Sequence, residues 1–466
     1  MSLLISIYNR SPLWIQIVGI NTYGWYWKRL RRGKVFARSV PRWIERETWK
    51  EDRFRDYLDR KLADTLKIAY EWTEFYPEKW SAHGLSCERI NNIKVDDLRL
   101  LPVTRKDEFR KIPGSVWRNG PKGHDIAFVR RTSGSTGSPL PVAFSKEDFQ
   151  YIYAAAEARS FRWAGISIED PRSMIGARPI IPPAQKKPPF WRYNLFERQV
   201  YLSAFHIAPA NVEDYCYALN RFKPVFMTGF PSANFFLARM IDEAGLEVHS
   251  PRAVVTCSEK LVDEMKETME RVYSARVYES YGLVEHCALA TTCEYGSLHV
   301  SPDFGIVEIL RDDGSPAVPG ETGHLVATGL ANNTSLFVRY DTGDLAAWSD
   351  EPCPCGRTNL PRLRNIEGRV EDVVIGPDGR ETVRFDRIFF NYPGIEKGQV
   401  IQESPNHIRL KIVTSAGYSK EAEREIQNRV RAILGEVKVS VEHVNSIPLD
   451  KNGKFRAVIS KVKRAE

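Results

Sequence analysis

Val225-Phe-Met-Thr-Gly-Phe-Pro-Ser232 opens the stretch whose reading decides the fold. Its apolar start reads as a buried strand, and Gly229 to Pro231 end that strand in a turn. Residues 233–244 then read as helix, 253–257 as strand and 261–273 as helix. Strands alternating with helices predict an α/β layered domain.

Upstream, residues 126–145 read as strand, loop and strand around a Gly/Ser/Thr cluster, and 147–163 as helix. Residues 45–80 read as helix, because Phe54, Leu58, Leu62, Leu66, Ile68 and Trp72 fall on one face with charges between. The Leu101-Pro-Val-Thr104 turn enters a further helix, with Thr104 as expected N-cap and Glu108 nearby. Downstream the pattern changes at about residue 295. Short strands alternate with Gly, Pro and Asp turns, including Gly305–Leu310, 323–328 and 335–340, and predict a β-rich subdomain. After Gly368-Arg369 a smaller unit follows, with strands at 399–403, 407–413 and 437–444 and a helix at 419–434. The expected organisation is a large α/β domain over 1–369 and a small α+β domain over 370–466.

Composition supports a large packed interior: 42% of the 466 residues are hydrophobic, and charged residues make up 27%. That excludes a disordered or low-complexity chain. No run approaches the roughly 20 apolar residues of a membrane span. The net charge of +8 fits an anionic ligand, and no nucleic-acid-reading motif accompanies it. Seven cysteines, an odd number, argue against a disulfide framework and for a reducing, cytoplasmic setting. Tyr23-Gly-Trp-Tyr-Trp-Lys-Arg-Leu-Arg-Arg32 mixes aromatic and basic residues. It reads as a surface helix packed on the large domain or as a peripheral contact with an anionic membrane surface.

Arg131-Thr-Ser-Gly-Ser-Thr-Gly-Ser-Pro139 is the strongest local signal for chemistry. Small residues let backbone N–H groups turn inward on an anion, and the hydroxyls add donors, so the loop suits a phosphate; the alternative is a Gly/Ser-rich hairpin. It is not a Walker loop, because no Gly-Lys-Ser/Thr closes it. Further on stand Tyr281-Gly-Leu-Val-Glu285, Arg339-Tyr-Asp-Thr-Gly-Asp344, Gly368-Arg369-Val-Glu371 and Asn452-Gly453-Lys454.

In this order and at these separations the motifs resemble the adenylate-forming superfamily over about residues 80–460. Gly229-Phe-Pro-Ser232, the Cys353–Thr358 run and Gln399-Val-Ile-Gln402 resemble its phenylacetate-CoA ligase and CapK-like branch. The resemblance implies an ATP-dependent ligase with a mobile small domain. Thr132, Ser133, Gly134, Ser135, Thr136 and Gly137 would hold the β- and γ-phosphates of ATP, and Ser258, Glu259 and Gly282 would also contact the nucleotide. Tyr281 would stack on adenine, Asp344 would accept from the ribose hydroxyls, and Arg369 would reach ribose or phosphate. Glu285 would bind Mg²⁺, Lys454 would bridge the substrate oxygen and the α-phosphate, and Glu371 would be the hinge. His206 would line the acyl pocket or, alternatively, cap or pack in the core.

Two departures qualify that expectation. Val284 stands where the family carries a Thr or Ser whose hydroxyl touches the nucleotide phosphate. Residues 375–390 also differ from the CoA ligases after their Gly turn, which leaves the acceptor open between CoA, an amine and a sugar hydroxyl of a glycan. The expected reaction is adenylation of a small carboxylic acid followed by acyl transfer. The alternatives are a catalytically weak nucleotide-binding scaffold in polysaccharide assembly and adenylation of a hydroxyl substrate.

Cys293-x5-His299 and Cys353-x-Cys355 offer three thiolates and an imidazole, a common structural Zn²⁺ set, with Cys287 as the substitute ligand. The spacing within the second pair is tighter than usual, and buried cysteines are often small hydrophobes instead.

Overall fold

The computed structural model describes residues 7–119, 125–132, 140–176, 180–182, 185–204, 206–369, 374–377, 381–382, 388–389, 394–448 and 456–462. Its contacts divide the chain into two units, one of residues 1–342 with 346–365 and the other of 343–345 with 366–466.

The larger unit starts with helices α1 (Leu13–Arg31), α2 (Lys34–Glu45) and α3 (Glu51–Trp72). In α3, Phe54, Leu58, Leu62, Leu66 and Ala69 are buried on one face, as their spacing requires. The helix expected over 45–80 is nevertheless interrupted. Thr73 Oγ1 donates to the Ala69 carbonyl (2.6 Å) and accepts from the Tyr76 N–H (3.4 Å), so the chain turns before a new helix at Phe75–Ala82. Thr104 caps nothing. It is buried in an isolated bridge to Tyr340, and its hydroxyl donates to the Val338 carbonyl (2.9 Å). Arg105 is the cap residue of the helix Lys106–Lys111, and Glu108 accepts from its N–H at 2.7 Å.

Strands β1 (Ile126–Arg131) and β2 (Pro141–Ser145) form an antiparallel hairpin. Ser145 then caps α4 (Lys146–Ala156) by accepting from the Asp148 N–H (3.0 Å). The helix expected to run to residue 163 widens into a π turn at Glu157–Phe161.

Next come β3 (Arg172–Gly176), β4 (Trp191–Asn194), β5 (Gln199–Ser203), α5 (Val212–Phe222), β6 (Phe226–Gly229), α6 (Pro231–Glu243), β7 (Ala253–Cys257), α7 (Asp263–Tyr273) and β8 (Arg276–Gly282). Strands β5, β3, β6, β7 and β8 are neighbours in that order and mutually parallel. Helices α5, α6 and α7 supply three of the crossovers that parallel pairing demands. Their inward faces join a core of Val200, Leu219, Met227, Leu237, Val254 and Tyr273.

The β-rich stretch continues this sheet. Strands β9 (Leu289–Thr292), β10 (Leu298–Val300), β11 (Gly305–Leu310), β12 (Thr322–Gly329), β13 (Tyr340–Ser349) and β14 (Arg362–Arg369) extend it to twelve strands among the described residues. The strand expected at 335–340 begins only at Tyr340. Arg339 has φ of 45°, and its guanidinium is fixed across Glu308 by two 2.9 Å bonds, so the preceding backbone leaves the ladder.

The smaller unit holds β15 (Val374–Ile375) paired with β16 (Glu381–Thr382), then β17 (Ile395–Ser404), β18 (His407–Thr414), α8 (Lys420–Leu434), β19 (Lys438–His443) and β20 (Val458–Ser460). The last four strands form a sheet ordered β19-β18-β17-β20. Ile426, Val430 and Leu434 of α8 pack with Val400, Ile408 and Leu410. This is the α+β unit the sequence predicts.

Candidate active site and metal centre

The chain runs from β3 to β5 on one side of β3 and returns with β6 on the other. Such a reversal opens a crevice at the carboxyl ends of the strands, where open α/β sheets bind ligands. The expected site residues lie at those ends. His206 follows β5, Gly229-Phe-Pro-Ser232 ends β6, Ser258 and Glu259 follow β7, and Tyr281 and Gly282 close β8. Gly229 is required there. Its φ is 132°, and a Cβ would sit 1.9 Å from the Ile175 carbonyl oxygen, which accepts from the Phe230 N–H (3.0 Å).

Ser258 has φ of 72°, and the adjoining Glu259 Oε2 accepts from Ser232 Oγ at 2.6 Å, which ties the β7 loop to the start of α6. The His206 ring stacks on Phe190 (4.6 Å between centroids), with Nδ1 2.7 Å from Ser203 Oγ. Tyr281 is half-buried and pairs in register with Ala290. Val284 is half-buried, so it is not a core residue.

Glu285 is buried. Its Oε1 accepts from the Tyr340 hydroxyl (2.9 Å) and lies 3.7 Å from Lys106 Nζ. Mg²⁺ is ordinarily held by one or two carboxylates with phosphates and water, so a single Glu fits, sharing its charge with Lys106. His286, which sequence reading passed over, has φ of 50°. Burial and the nearby Arg130 charge push its pKa down to about 3, so it is neutral beside Glu285.

Of the loop expected to hold phosphate, the described part is its neck. Thr132 is buried. Its N–H donates to the Leu140 carbonyl and its Oγ1 accepts from the Leu140 N–H, both at 3.0 Å. Its hydroxyl therefore closes the loop. Ser133, Gly134, Ser135, Thr136, Gly137, Glu371 and Lys454 lie outside the described residues. Arg369 ends β14, and its side chain also lies outside them. Asp344 is buried in β13.

Glu279, on β8 beside these loops, was not legible as a site residue. Burial pushes its pKa up to about 7, against the charges of Lys260 and Lys266. The folded state therefore holds this proton more tightly than the unfolded chain does. The associated stability is complete below about pH 4.5 and is lost as pH rises through about 7, at most about 3 kcal/mol. Glu279→Gln should stabilise the protein at pH 7.5 and leave it nearly unchanged at pH 4.5. Thermal midpoints of both proteins at the two pH values check this, and an equal shift at both would remove Glu279 as the cause.

Cys293, His299, Cys353 and Cys355 come together, with one donor atom from each within 4.8 Å of the others. Cys293 and Cys353 Sγ are 3.7 Å apart, and Cys355 Sγ is 3.3 Å from His299 Nε2. Tetrahedral zinc with bonds of about 2.3 Å to sulfur and 2.0 Å to nitrogen gives edges of about 3.8 and 3.5 Å, so the set fits. His299 Nδ1 lies 2.7 Å from the Leu360 carbonyl, an orienting contact typical of ligating imidazoles. Burial opposes ionisation of Cys353, but hydrogen bonds from Ser297, the Cys355 backbone and His299 outweigh it and lower its pKa. Cys287 is buried and is not among the four. Around the centre, Arg357 lies 4.4 Å over Trp163 and donates to Glu47 (3.0 Å) and Glu294 (2.8 Å), while Glu47 also pairs with Arg159.

Residues 375–461 match a family model described as the CapK C-terminal domain. The sequence is 25% identical to Protein CapK of Staphylococcus aureus over 98% of this chain and 99% of that protein. Phenylacetate-coenzyme A ligases of Thermus thermophilus and Escherichia coli are each 25% identical, over 71% of this chain and 74% of theirs. These similarities support the CapK-like and phenylacetate-CoA ligase branch of the adenylate-forming superfamily. A crystal structure of 2-hydroxyisobutyryl-CoA ligase, in the postadenylation state with R3-HIB-AMP, shares the fold of the CapK-like chain. It superposes with a TM-score of 0.71 at 22% identity, over 89% of this chain and 91% of that one.

Proposed function

We propose that the CapK-like chain adenylates a small carboxylic acid and passes the acyl group to CoA. A carboxylate oxygen attacks the α-phosphorus of ATP, the bond to pyrophosphate breaks, and acyl-AMP forms. The acceptor thiolate then attacks the acyl carbon, and AMP leaves. The observation that carries this reading is that the expected nucleotide residues Ser258, Glu259, Tyr281 and Gly282 stand at the carboxyl ends of β7 and β8, with Glu285 buried three residues beyond.

In this reading Tyr281 stacks on adenine, and Thr132 fixes the neck of the phosphate loop formed by Ser133 to Gly137. Ser258, Glu259 and Gly282 border the nucleotide, while Asp344 and Arg369 take the ribose. Glu285 would hold Mg²⁺, which supplies charge neutralisation at the phosphates. Lys454 stabilises the charge gathering on the α-phosphorus. His206 lines the acyl pocket, with its ring held against Phe190. The small domain, 370–466 after the boundary at Arg369, carries Lys454 and turns about Glu371 between the two steps. The Cys/His set is a structural zinc centre, because four protein ligands leave no open position.

ATP–pyrophosphate exchange over a panel of aryl, acyl and amino acids tests the first step. AMP release with CoA, amines and sugars tests the second. A lack of exchange with every acid would instead favour a nucleotide-binding scaffold.

Val284 supplies a sharper prediction. It is half-buried, and the family resemblance implies a phosphate-contacting hydroxyl at its place. Val284→Thr is nearly isosteric and should raise the exchange rate by up to about tenfold, the factor for one hydrogen bond gained in the transition state. Slower exchange with a lower thermal midpoint would mean that the hydroxyl is left without a partner and that Tyr281–Glu285 must be realigned.

A further inference from the structure

The charge of this chain is concentrated at one end. Eight Lys and Arg lie between Arg10 and Arg42, and no Asp or Glu precedes Glu45. Removing these eight from the 67 basic residues leaves 59, equal to the 59 acidic ones, so the whole net charge of +8 resides in the first 44 residues.

Helix α1 in that segment carries apolar residues on its outer side as well as its inner one. Its inward side buries Ile20 and Leu30 but is otherwise polar or small. Gln16 is buried and its Oε1 accepts from Arg192 Nη2 (2.7 Å), Asn21 Oδ1 accepts from the Leu195 N–H (2.8 Å), and Gly24 abuts Asn194. Its outward side carries Trp14 (67% exposed), Val18 (58%) and Trp25 (41%), which fall on one stripe at helical spacing. Arg29 continues the stripe, with its guanidinium 4.3 Å over the Trp25 ring. In α2, Lys34, Arg38 and Arg42 recur every four residues, and all three are exposed.

We infer that α1 and α2 form a peripheral binding surface for an anionic lipid bilayer. Trp14, Val18 and Trp25 enter the headgroup–acyl boundary, and Arg29, Lys34, Arg38 and Arg42 meet lipid phosphates. The helix lies in the interface plane, since no helix of the described residues is long and apolar enough to cross a membrane. Charge favours this occupant over a second copy of the chain, because a self-contact would bring two strongly basic segments together.

Flotation of the full-length protein with vesicles tests the inference. It should bind vesicles of 30% phosphatidylglycerol in phosphatidylcholine at least tenfold more tightly than pure phosphatidylcholine, and half-molar salt should weaken the binding. Trp14→Glu with Trp25→Glu should abolish flotation, and the corresponding double change to Phe should retain it. Replacing Lys34, Arg38 and Arg42 by Gln should weaken binding about a hundredfold, at roughly fivefold for each charge removed near the surface. Thermal midpoints of the variants should match that of the parent. Equal binding to both vesicle types, or full binding by the double Glu variant, would overturn the assignment. So would a dimer, seen by light scattering, that the double Glu variant converts to monomer, because the face would then be a protein interface.

Discussion

Lys454→Ala should lower the rate of ATP–pyrophosphate exchange by about 10²- to 10³-fold while ATP affinity stays within about threefold. The difference between the two readouts is the point of the experiment. In adenylation, negative charge accumulates on the oxygens of the α-phosphorus only as the carboxylate attacks. A group contributing there strengthens its interaction between ground state and transition state, and such an interaction sets the rate rather than the affinity. In the proposed function, nucleotide binding in the ground state falls to other groups: Tyr281 on the base, Asp344 on the ribose, and the loop beginning at Thr132 on the phosphates. Lys454 itself lies outside the described residues. Arg456, two residues on, is tied by a bond from Gln399 Nε2 to its carbonyl (2.8 Å), and β20 begins at Val458. If Lys454 acts in the chemistry, truncating its side chain should leave the thermal midpoint unchanged. A fall in exchange without a change in midpoint separates lost chemistry from lost folding. An unchanged exchange rate would remove Lys454 from the mechanism, and a large loss of ATP affinity would reassign it to nucleotide binding.

What could be read from the sequence follows from how local each determinant is. The α/β class was legible in residues 225–273, because strand, turn and helix signals there sit within a few residues of the groups they organise. The place of the motifs in the fold was legible for the same reason: a loop at the carboxyl end of a strand carries its glycines and polar residues consecutively, as in Gly229–Ser232 and Tyr281–Glu285. Determinants that reach across the chain left no such trace. Glu285 contacts Tyr340 and Lys106, and Lys106 lies 179 residues away in sequence with no periodicity linking the two. Thr104 looked like a helix cap because caps favour threonine, yet its hydroxyl was claimed by the Val338 carbonyl. Likewise the 335–340 strand failed because Arg339 found Glu308 and adopted a left-handed backbone. The extension of the parallel sheet by β9 to β14 was also invisible, since short strands with turns look alike whether they form a separate barrel or lengthen an existing sheet.

The four-residue Cys/His set joins both kinds of determinant, pairs close in sequence brought together over some sixty residues, and it supports the second large effect. Protein purified without chelators should contain one zinc per chain. The geometry favours a metal over a disulfide, because the Cys293 and Cys353 sulfurs are 3.7 Å apart, far beyond a bond of about 2.05 Å and near the edge of a zinc tetrahedron. Cys353→Ser should reduce the zinc content to near zero. It removes the thiol facing Cys293 from the loop that leads into β14, so the turn after β9 and that loop lose their common anchor. If free zinc stands about a thousandfold above the dissociation constant, binding contributes about 4 kcal/mol to the folded state. For a unit of this size that corresponds to a fall of about 5 °C in thermal midpoint. Cys287→Ala provides the control, since this buried cysteine lies outside the set. It should keep its zinc even if its own core packing loosens. Zinc near zero in the parent protein, measured by elemental analysis, would return the four residues to the role of packing groups. Loss of zinc in the Cys287→Ala protein with retention in Cys353→Ser would show that the ligand set had been drawn around the wrong cysteine.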